Sequence, residues 1–180
     1  EEYKEILDVS QKFAAKEIGQ HILDVDLNPS VEWTKTLWMK SREVGFPGLV
    51  ISDSYGGLGQ TELCAALVLD TLASECAGVA SVFAHHYAAC KCISAGSAAQ
   101  QQACLTGLAG SGDEAAIGTV LFLPSYEDNR LTLTDGEGRL VLTGISELAA
   151  NAFLARYFCV FVDEGTRGRD ISCIIIDRND

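Results

Sequence analysis

The sequence predicts an α+β protein in which an all-helical N-terminal region is followed by part of a small antiparallel β region. Up to about residue 109, apolar residues recur at helical spacing between short turns. After Asp113, short runs rich in β-branched and aromatic residues alternate with turn residues, which is typical of strands. This change predicts two domains, residues 1–114 and residues 115–180.

The first predicted helix covers residues 2–18, with Ile6 and Phe13 on its apolar face. Pro29 closes the segment that follows, because the residue before a proline is disfavoured in a helix. Ser30 is then expected to cap a second helix that ends near Gly45.

A glycine-rich loop, residues 46–59, follows the second helix. It contains Gly56, Gly57 and Gly59, three glycines in four positions, which let the backbone adopt conformations closed to other residues. Thr61 is expected to cap the next helix, because a threonine side chain can accept from the first free amides of a helix.

Two further helices complete the helical region. Gly78 is expected to break the chain before a helix over residues 79–93, which is apolar on nearly every side and is therefore predicted to be buried. A shorter helix covers residues 98–109. The predicted strands are residues 117–123, 131–134, 140–142, 157–162 and 171–176, with a hairpin turn at residues 135–138.

Composition excludes several classes of function. The formal net charge of −12 disfavours nucleic acid, which selects clusters of Lys and Arg. No apolar run reaches the roughly 18–20 residues that a membrane-crossing helix needs, so no membrane insertion is expected. The seven cysteines lie in apolar patterns without a CxxC pair, which predicts reduced, buried thiols and a cytoplasmic protein. Because the first residue is Glu1, we expect the native chain to begin earlier.

Local motifs do not identify a catalytic set. His86 and Cys90 would share a helix face with metal-ligand spacing, but Cys92 points elsewhere, and core thiols beside His85 and His86 explain the group more simply. We therefore predict no metal. The GxSxG elbow of a hydrolase and the GK[ST] ending of a phosphate-binding loop are both missing. A cysteine–histidine nucleophile remains open, but seven similar cysteines give no basis for choosing one.

The order of these segments resembles the acyl-CoA dehydrogenase family over essentially the whole chain. Residues 45–49 and 52–59 are similar to the family's "reGl.gl.vpeeyGGlG" passage. Residues 96–110 resemble its "G..eqk..yLp.la.G" helix, although Ala99 and Gln101 replace an acidic and a basic position. Residues 141–155, which contain the Leu-Thr-Gly and Asn-Ala-Phe-Leu-Ala stretches, resemble its "vLnG.k..itna..A" hairpin.

The resemblance implies a flavoenzyme that introduces an α,β-double bond into an acyl-CoA, with FAD as hydride acceptor. In the family, a helical domain, a middle β domain and a C-terminal four-helix domain hold FAD together. The general base belongs to the C-terminal domain, so residues 1–180 are not expected to contain a complete active site, and no catalytic residue is assigned. The loop at Tyr55, Gly56 and Gly57 is the expected acyl-CoA contact, with structural packing as the simpler interpretation.

The positions that match the family's flavin site are chemically altered. Phe122 and Leu123 stand where the family has Thr-Glu, while Leu148 and Ala150 replace the aromatic residue and the threonine that contact the flavin ring. Each unpaired flavin polar atom would cost about 1–3 kcal/mol. We therefore expect FAD, the cofactor that the family implies, not to bind in the usual way.

Two functions follow as alternatives. The chain is a part or subunit of an acyl-CoA dehydrogenase-like flavoprotein, or it is a non-catalytic family member that acts as a scaffold or partner subunit without FAD. In both cases we expect a homo- or hetero-oligomer, formed through apolar surface to which Val79, Val82, Phe83 and Tyr87 contribute.

Overall fold

Six α-helices precede five β-strands in the part of the chain that the computed structural model describes, which is residues 3–110, 116–121, 131–136, 139–146, 149–163 and 171–179. The first helix continues into a π-helical segment, Ala14–Gly19. The α-helices are α1 Lys4–Phe13, α2 Ile22–Leu27, α3 Val31–Glu43, α4 Glu62–Glu75, α5 Ala77–Ser94 and α6 Ala98–Leu108. None of the predicted helices corresponds to α2.

Three helices begin at the side-chain caps that their sequences favour. The side chain of Ser30 accepts a hydrogen bond from the Trp33 amide at 3.2 Å, and that of Thr61 accepts from the Cys64 amide at 3.2 Å. Both predicted caps are confirmed. Ser97 begins α6 with a capping box, in which its side chain and that of the third helical residue exchange hydrogen bonds with each other's backbone.

Gly78 does not break the chain, because it lies inside α5. The break is at Cys76, whose backbone is extended (φ −158°, ψ 111°) between α4 and α5. Burial of α5 is confirmed. Val79, Phe83 and Tyr87 are 7%, 1% and 5% exposed and pack in the core of the chain itself, so the expectation that they form exposed apolar surface is wrong. Val82 is partly buried against the same core.

The strands form two small sheets. A three-stranded sheet has the order β1-β4-β5, and β2 pairs with β3 in a separate hairpin. The β2–β3 and β4–β5 pairings are antiparallel, as expected, whereas β1 pairs in parallel with β4. The strands are β1 Ile117–Leu121, β2 Thr132–Gly136, β3 Arg139–Thr143, β4 Ala155–Asp163 and β5 Ile171–Asp177.

The two faces of the larger sheet belong to different apolar clusters. Tyr157 and Cys159 of β4 join the main core, which includes residues of α3, α4, α5 and α6. The alternate residues Val160 and Val162 pack with Leu131 in a second cluster, to which the β2–β3 hairpin contributes. This alternation follows from the strand period of two residues. The helices and one face of the sheet therefore share a single core.

All seven cysteines carry free thiols. The predicted burial of the thiols is confirmed for Cys64, Cys90, Cys104 and Cys159. It is wrong for Cys173, which is exposed. Within the described ranges, no helix has both the length and the apolar character needed to cross a bilayer.

Candidate functional site

The predicted flavin positions flank two elements, the C-terminal end of β1 and the turn that leads into β4. Phe122 and Leu123 follow β1 directly, and Leu148 precedes the turn, but these three residues lie outside the described residues. Ala150 is described and is partly buried at the start of the turn.

A hydrogen bond joins the two elements. The Thr119 hydroxyl in β1 donates to the carbonyl oxygen of Ala150 at 2.6 Å, and Thr119 is fully buried. The bond fixes the position of the turn relative to the strand. It also occupies the Thr119 proton and one lone pair of the Ala150 carbonyl.

Asn151 holds the turn against α5. Its φ of 59° is in the left-handed region, which asparagine tolerates better than most residues. Its side-chain amide donates to the Val82 carbonyl at 2.9 Å, and its own carbonyl accepts from the amides of Leu154 and Ala155 at 2.8 and 2.7 Å. Sequence reasoning placed Asn151 in a family motif but did not identify this role.

Arg178, just after β5, braces the same turn from the other side. Its guanidinium donates to the carbonyl of Phe153 at 3.0 Å and to that of Ala152. Phe153 itself is 87% exposed. The turn is therefore held by side chains from a neighbouring strand end and from within the turn.

His86 connects α5 to the loop after α3 and to β1. The Gly118 amide donates to His86 Nδ1 at 3.1 Å, so that nitrogen is unprotonated, and Nε2 must carry the proton that it donates to the Pro47 carbonyl at 2.9 Å. Complete burial lowers the pKa of His86 to about 4, despite the opposing effect of the Pro47 carbonyl. His86 is therefore a neutral, structural imidazole with both nitrogens engaged.

Cys90 lies beside His86, with its Sγ 3.4 Å from Nε2, which confirms that these two residues share one helix face. Burial raises the pKa of the Cys90 thiol well above its usual value. Cys92 does not join them, and its sulfur lies instead near those of Cys159 and Cys173. The arrangement at His86 and Cys90 is that of a packed core.

The glycine-rich loop is held by backbone hydrogen bonds between its own residues. The five consecutive amides of residues 56–60 donate to backbone carbonyls of residues 48–53 at 2.8–3.1 Å. Gly56 has a φ of 83°, and a Cβ at Gly57 would lie 2.1 Å from the Ile51 carbonyl oxygen. None of these five amides is available to a phosphate group, which agrees with the structural interpretation of the loop.

Tyr55 ties the loop to the junction between α5 and α6. Its hydroxyl donates to Gln101 Oε1 at 3.0 Å, and Gln101 Nε2 donates in turn to the carbonyls of Ser94 and Gly96, both at 2.9 Å. The network defines the orientation of the Gln101 amide. In the sequence, Gln101 stands out only as a departure from the family pattern. Its partners are the hydroxyl of the distant Tyr55 and two backbone carbonyls, and backbone groups leave no signal in a sequence.

A groove of about 400 Å³ lies between α1 and α3. Its walls include Glu17, Lys16 and Lys40. Lys40 and then Lys16 lower the pKa of Glu17, and the Lys16–Glu17 pair is 3.1 Å apart. These ion pairs neutralise part of the groove, which carries no catalytic arrangement.

Arg156 forms an ion pair that the sequence alone did not indicate. Its Nε lies 3.1 Å from both Asp177 carboxylate oxygens, and Nη2 lies 2.9 Å from Oδ2. The Arg156 guanidinium lowers the pKa of Asp177. The pair links the start of β4 to the end of β5, positions brought together by the antiparallel register.

The four predicted flavin positions offer no side-chain hydrogen-bond donor to a flavin ring. Phe122, Leu123, Leu148 and Ala150 carry no side-chain nitrogen or oxygen. The Thr119 hydroxyl beside Ala150 is already committed to a carbonyl. The described residues therefore supply structure at this place, and no side-chain donor for the polar edge of the ring comes from the four predicted positions.

Residues 1–112 match the family model described as "Acyl-CoA dehydrogenase, N-terminal domain". The chain has no significant match among curated protein sequences.

Solved structures share the fold over nearly the whole chain. One from a study of the electron transferring flavoprotein of Acidaminococcus fermentans matches with a TM-score of 0.86 and 21% identity, covering 99% of this chain and 48% of that one. Butyryl-CoA dehydrogenase from Megasphaera elsdenii matches with a TM-score of 0.82 and 19% identity, covering 98% of this chain and 48% of that one. Acyl-CoA dehydrogenase from Geobacillus kaustophilus matches with a TM-score of 0.84 and 19% identity, covering 99% of this chain and 48% of that one. The chain spans about half the length of these proteins.

Proposed function

Because the chain belongs to the acyl-CoA dehydrogenase family, we propose that it supplies the N-terminal helical domain and the first part of the middle β domain of an acyl-CoA dehydrogenase-like flavoprotein. The domain boundary is proposed near residue 114. The complete protein would remove two hydrogens from the α and β carbons of an acyl-CoA, and FAD would supply the hydride acceptor.

The observation that carries this proposal is the continuity of the fold match. It extends through the helices and the sheet together, over 98–99% of the chain, in proteins that include two acyl-CoA dehydrogenases. A further match, with a TM-score of 0.81 and 20% identity, is the FAD complex of PigA. Fold alone does not establish activity, so the flavin site itself must be tested.

A second candidate is favoured by the altered flavin positions. We infer that a protein with Phe122, Leu123, Leu148 and Ala150 at these places acts as a non-catalytic scaffold or partner subunit without FAD. Contacts such as those of Thr119 and Asn151 hold the turn through protein groups. In this candidate the family fold is kept for association with another polypeptide.

We propose three further features, of which the cytoplasmic location rests on the free thiols and acyl-CoA binding rests on the family. The protein is cytoplasmic, it forms a homo- or hetero-oligomer, and it binds an acyl-CoA at the surface of the loop at Tyr55, Gly56 and Gly57, since the backbone amides of residues 56–60 are engaged within the loop. Titration calorimetry with an acyl-CoA tests the ligand, and absence of heat at millimolar ligand would contradict it. Sedimentation velocity tests association, and a clean monomer would contradict it.

FAD loading separates the two candidates. The flavoprotein candidate predicts one FAD per chain with flavin absorbance in the purified protein. The scaffold candidate predicts none in the native protein, but a gain of FAD affinity in the double variant Leu148→Trp with Ala150→Thr, which restores the ring contact and the hydroxyl. At about 1–3 kcal/mol for the restored hydrogen bond, the gain should be roughly tenfold or more.

Leu140→Trp is the matched control, because it adds a tryptophan at an exposed position of β3 outside the predicted flavin set. One FAD per chain in the native protein would contradict the scaffold candidate. A native protein that stays free of FAD beside a double variant that binds it would contradict the flavoprotein candidate.

A further inference from the structure

Three cysteines from three elements converge at the contact between α5 and the sheet. The Sγ atoms of Cys92, Cys159 and Cys173 all lie within 4.8 Å of one another. They are separated in sequence by 67 and 14 residues, which follow from their numbers, so the cluster is a product of the tertiary fold.

The sheet register accounts for two of the three. Phe161 pairs with Cys173 and Cys159 pairs with Ile175, so Cys159 and Cys173 are diagonal neighbours on the same face. The Cys159 thiol also contacts the Ala89 carbonyl at 3.7 Å. Ala89 and Cys92 are three residues apart and share a helix face, which brings Cys92 over this pair.

The spacing of the sulfurs is close to that of a metal site. A tetrahedral ion with metal–sulfur bonds of about 2.3 Å places its sulfurs about 3.8 Å apart. Separations of at most 4.8 Å exceed this spacing by about 1 Å or less. Cys159 is fully buried, Cys92 is partly buried and Cys173 is exposed, so the cluster has a fixed inner end and an opening to solvent.

We propose that Cys92, Cys159 and Cys173 form a three-thiolate site for a soft, thiophilic metal ion, with solvent in a fourth coordination position. Thiolates select ions such as Zn²⁺ and Cu⁺. On binding a divalent ion, three thiols release three protons and three metal–sulfur bonds form, with no change in oxidation state. The site is independent of the proposed function, because it requires neither flavin nor acyl-CoA.

The simpler explanation is that these are ordinary core thiols. Cys173 argues against it, because an exposed cysteine directed toward two others gains little from packing. Burial raises the pKa of the Cys159 thiol, so ion binding must overcome that cost and weakens as the pH falls.

The test is titration of the full chain with Cd²⁺ in a thiol-free reducing buffer, followed by ultraviolet sulfur-to-metal charge-transfer absorption. The native protein is expected to saturate at one ion per chain and to release the ion to an excess of a chelator, with loss of the band. Cys173→Ser and Cys92→Ser should each lose this saturable band, whereas Cys76→Ser, a partly buried cysteine outside the cluster, should keep it. Far-ultraviolet circular dichroism verifies that each variant folds.

Two results would overturn the proposal. The first is a native protein with no saturable band. The second is a band that persists in folded Cys173→Ser or is lost equally in Cys76→Ser, since the ion would then be bound elsewhere.

Discussion

Gly57 and Gly59 are required for different physical reasons, although they are two residues apart. A Cβ at Gly57 would lie 2.1 Å from the Ile51 carbonyl oxygen, a backbone atom that cannot move aside cheaply. Gly59 meets nothing within 4 Å, but its φ of 60° is costly for a residue with a side chain. Gly78 has neither constraint, since it lies in α5 and its nearest contact is the Cys76 sulfur at 3.6 Å.

These differences predict a ranked alanine series. Gly57→Ala should destabilise the protein by more than about 3 kcal/mol, in the range of severe backbone or packing defects. Gly59→Ala should cost about 1–2 kcal/mol from left-handed strain. Gly78→Ala should stabilise by up to about 1 kcal/mol, because alanine is the better helix former. Urea unfolding measures all three, and equal effects at positions 57 and 59 would contradict the steric argument.

Residues with local partners could be found from sequence, and residues with distant partners could not. The caps at Ser30 and Thr61 depend on amides three residues away, so a short pattern suffices to identify them. His86 depends on Pro47 and Gly118, which lie 39 and 32 residues away. The four-residue spacing between His86 and Cys90 predicted that they share a helix face. It did not indicate that His86 bonds to Pro47 and Gly118.

At the scale of elements, the turn before β4 depends on Asn151 for both its backbone conformation and its attachment to α5. The side-chain amide donates to Val82 O, and the positive φ opens the turn toward β4. An adjacent contact to the Gly118 carbonyl at 3.5 Å means that carbonyl oxygens surround the amide. An acceptor-only side chain cannot replace it.

Asn151→Asp and Asn151→Gly should therefore separate the two roles. Aspartate keeps the shape but brings a carboxylate to two carbonyls, and it should cost about 2–4 kcal/mol through lost donation and repulsion. Glycine keeps the positive φ and loses only the hydrogen bond, at about 1 kcal/mol. Thermal or urea unfolding measures both, and a neutral aspartate variant would show that the amide is not the anchor.

Element boundaries show where sequence reasoning succeeded and where it failed. The predicted bounds of α3, α5 and α6 lie within about two residues of the observed ones, and the caps at Ser30 and Thr61 mark where α3 and α4 begin. The short α2 has no side-chain cap and no buried residue, so neither a cap nor a core-facing stripe marks it. The prediction of a chain break at Gly78 was wrong because a glycine near the start of a helix can adopt helical backbone angles. The break lies at Cys76, which has the extended backbone. The parallel pairing of β1 with β4 depends on tertiary contacts that no local pattern encodes.

At the scale of the whole molecule, His86 joins the helical layer to the sheet. It lies on α5, accepts from β1 and donates to the loop after α3, so three regions depend on one neutral ring. The Trp38 ring packs edge-on to it with centroids 4.8 Å apart. Protonation would place a charge in this core and remove the acceptor for the Gly118 amide.

Stability should therefore fall in mild acid. The His86 pKa is about 4 in the folded state against 6.5 as its ordinary value, so the unfolded chain binds the proton more tightly. The contribution is complete above pH 6.5 and is lost progressively as the pH falls toward 4, by up to about 3 kcal/mol. Glu17, Glu62 and Asp177, whose pKa values are lowered by paired cations, lose their contributions only below their ordinary values near 4.

Urea unfolding of the native protein and His86→Gln between pH 7.5 and about 4.5 isolates this effect. His86→Gln is expected to be less stable at neutral pH. Its free energy of unfolding should also lose the dependence on pH between pH 6.5 and about 4.5, whereas His21→Gln, at an exposed histidine, should keep that dependence. The formal charge of −12 acts in the opposite direction, since acid relieves self-repulsion equally in all three proteins. The difference between the curves therefore reports His86, and parallel curves for the native protein and His86→Gln would show that the ring does not join the layers as a neutral group.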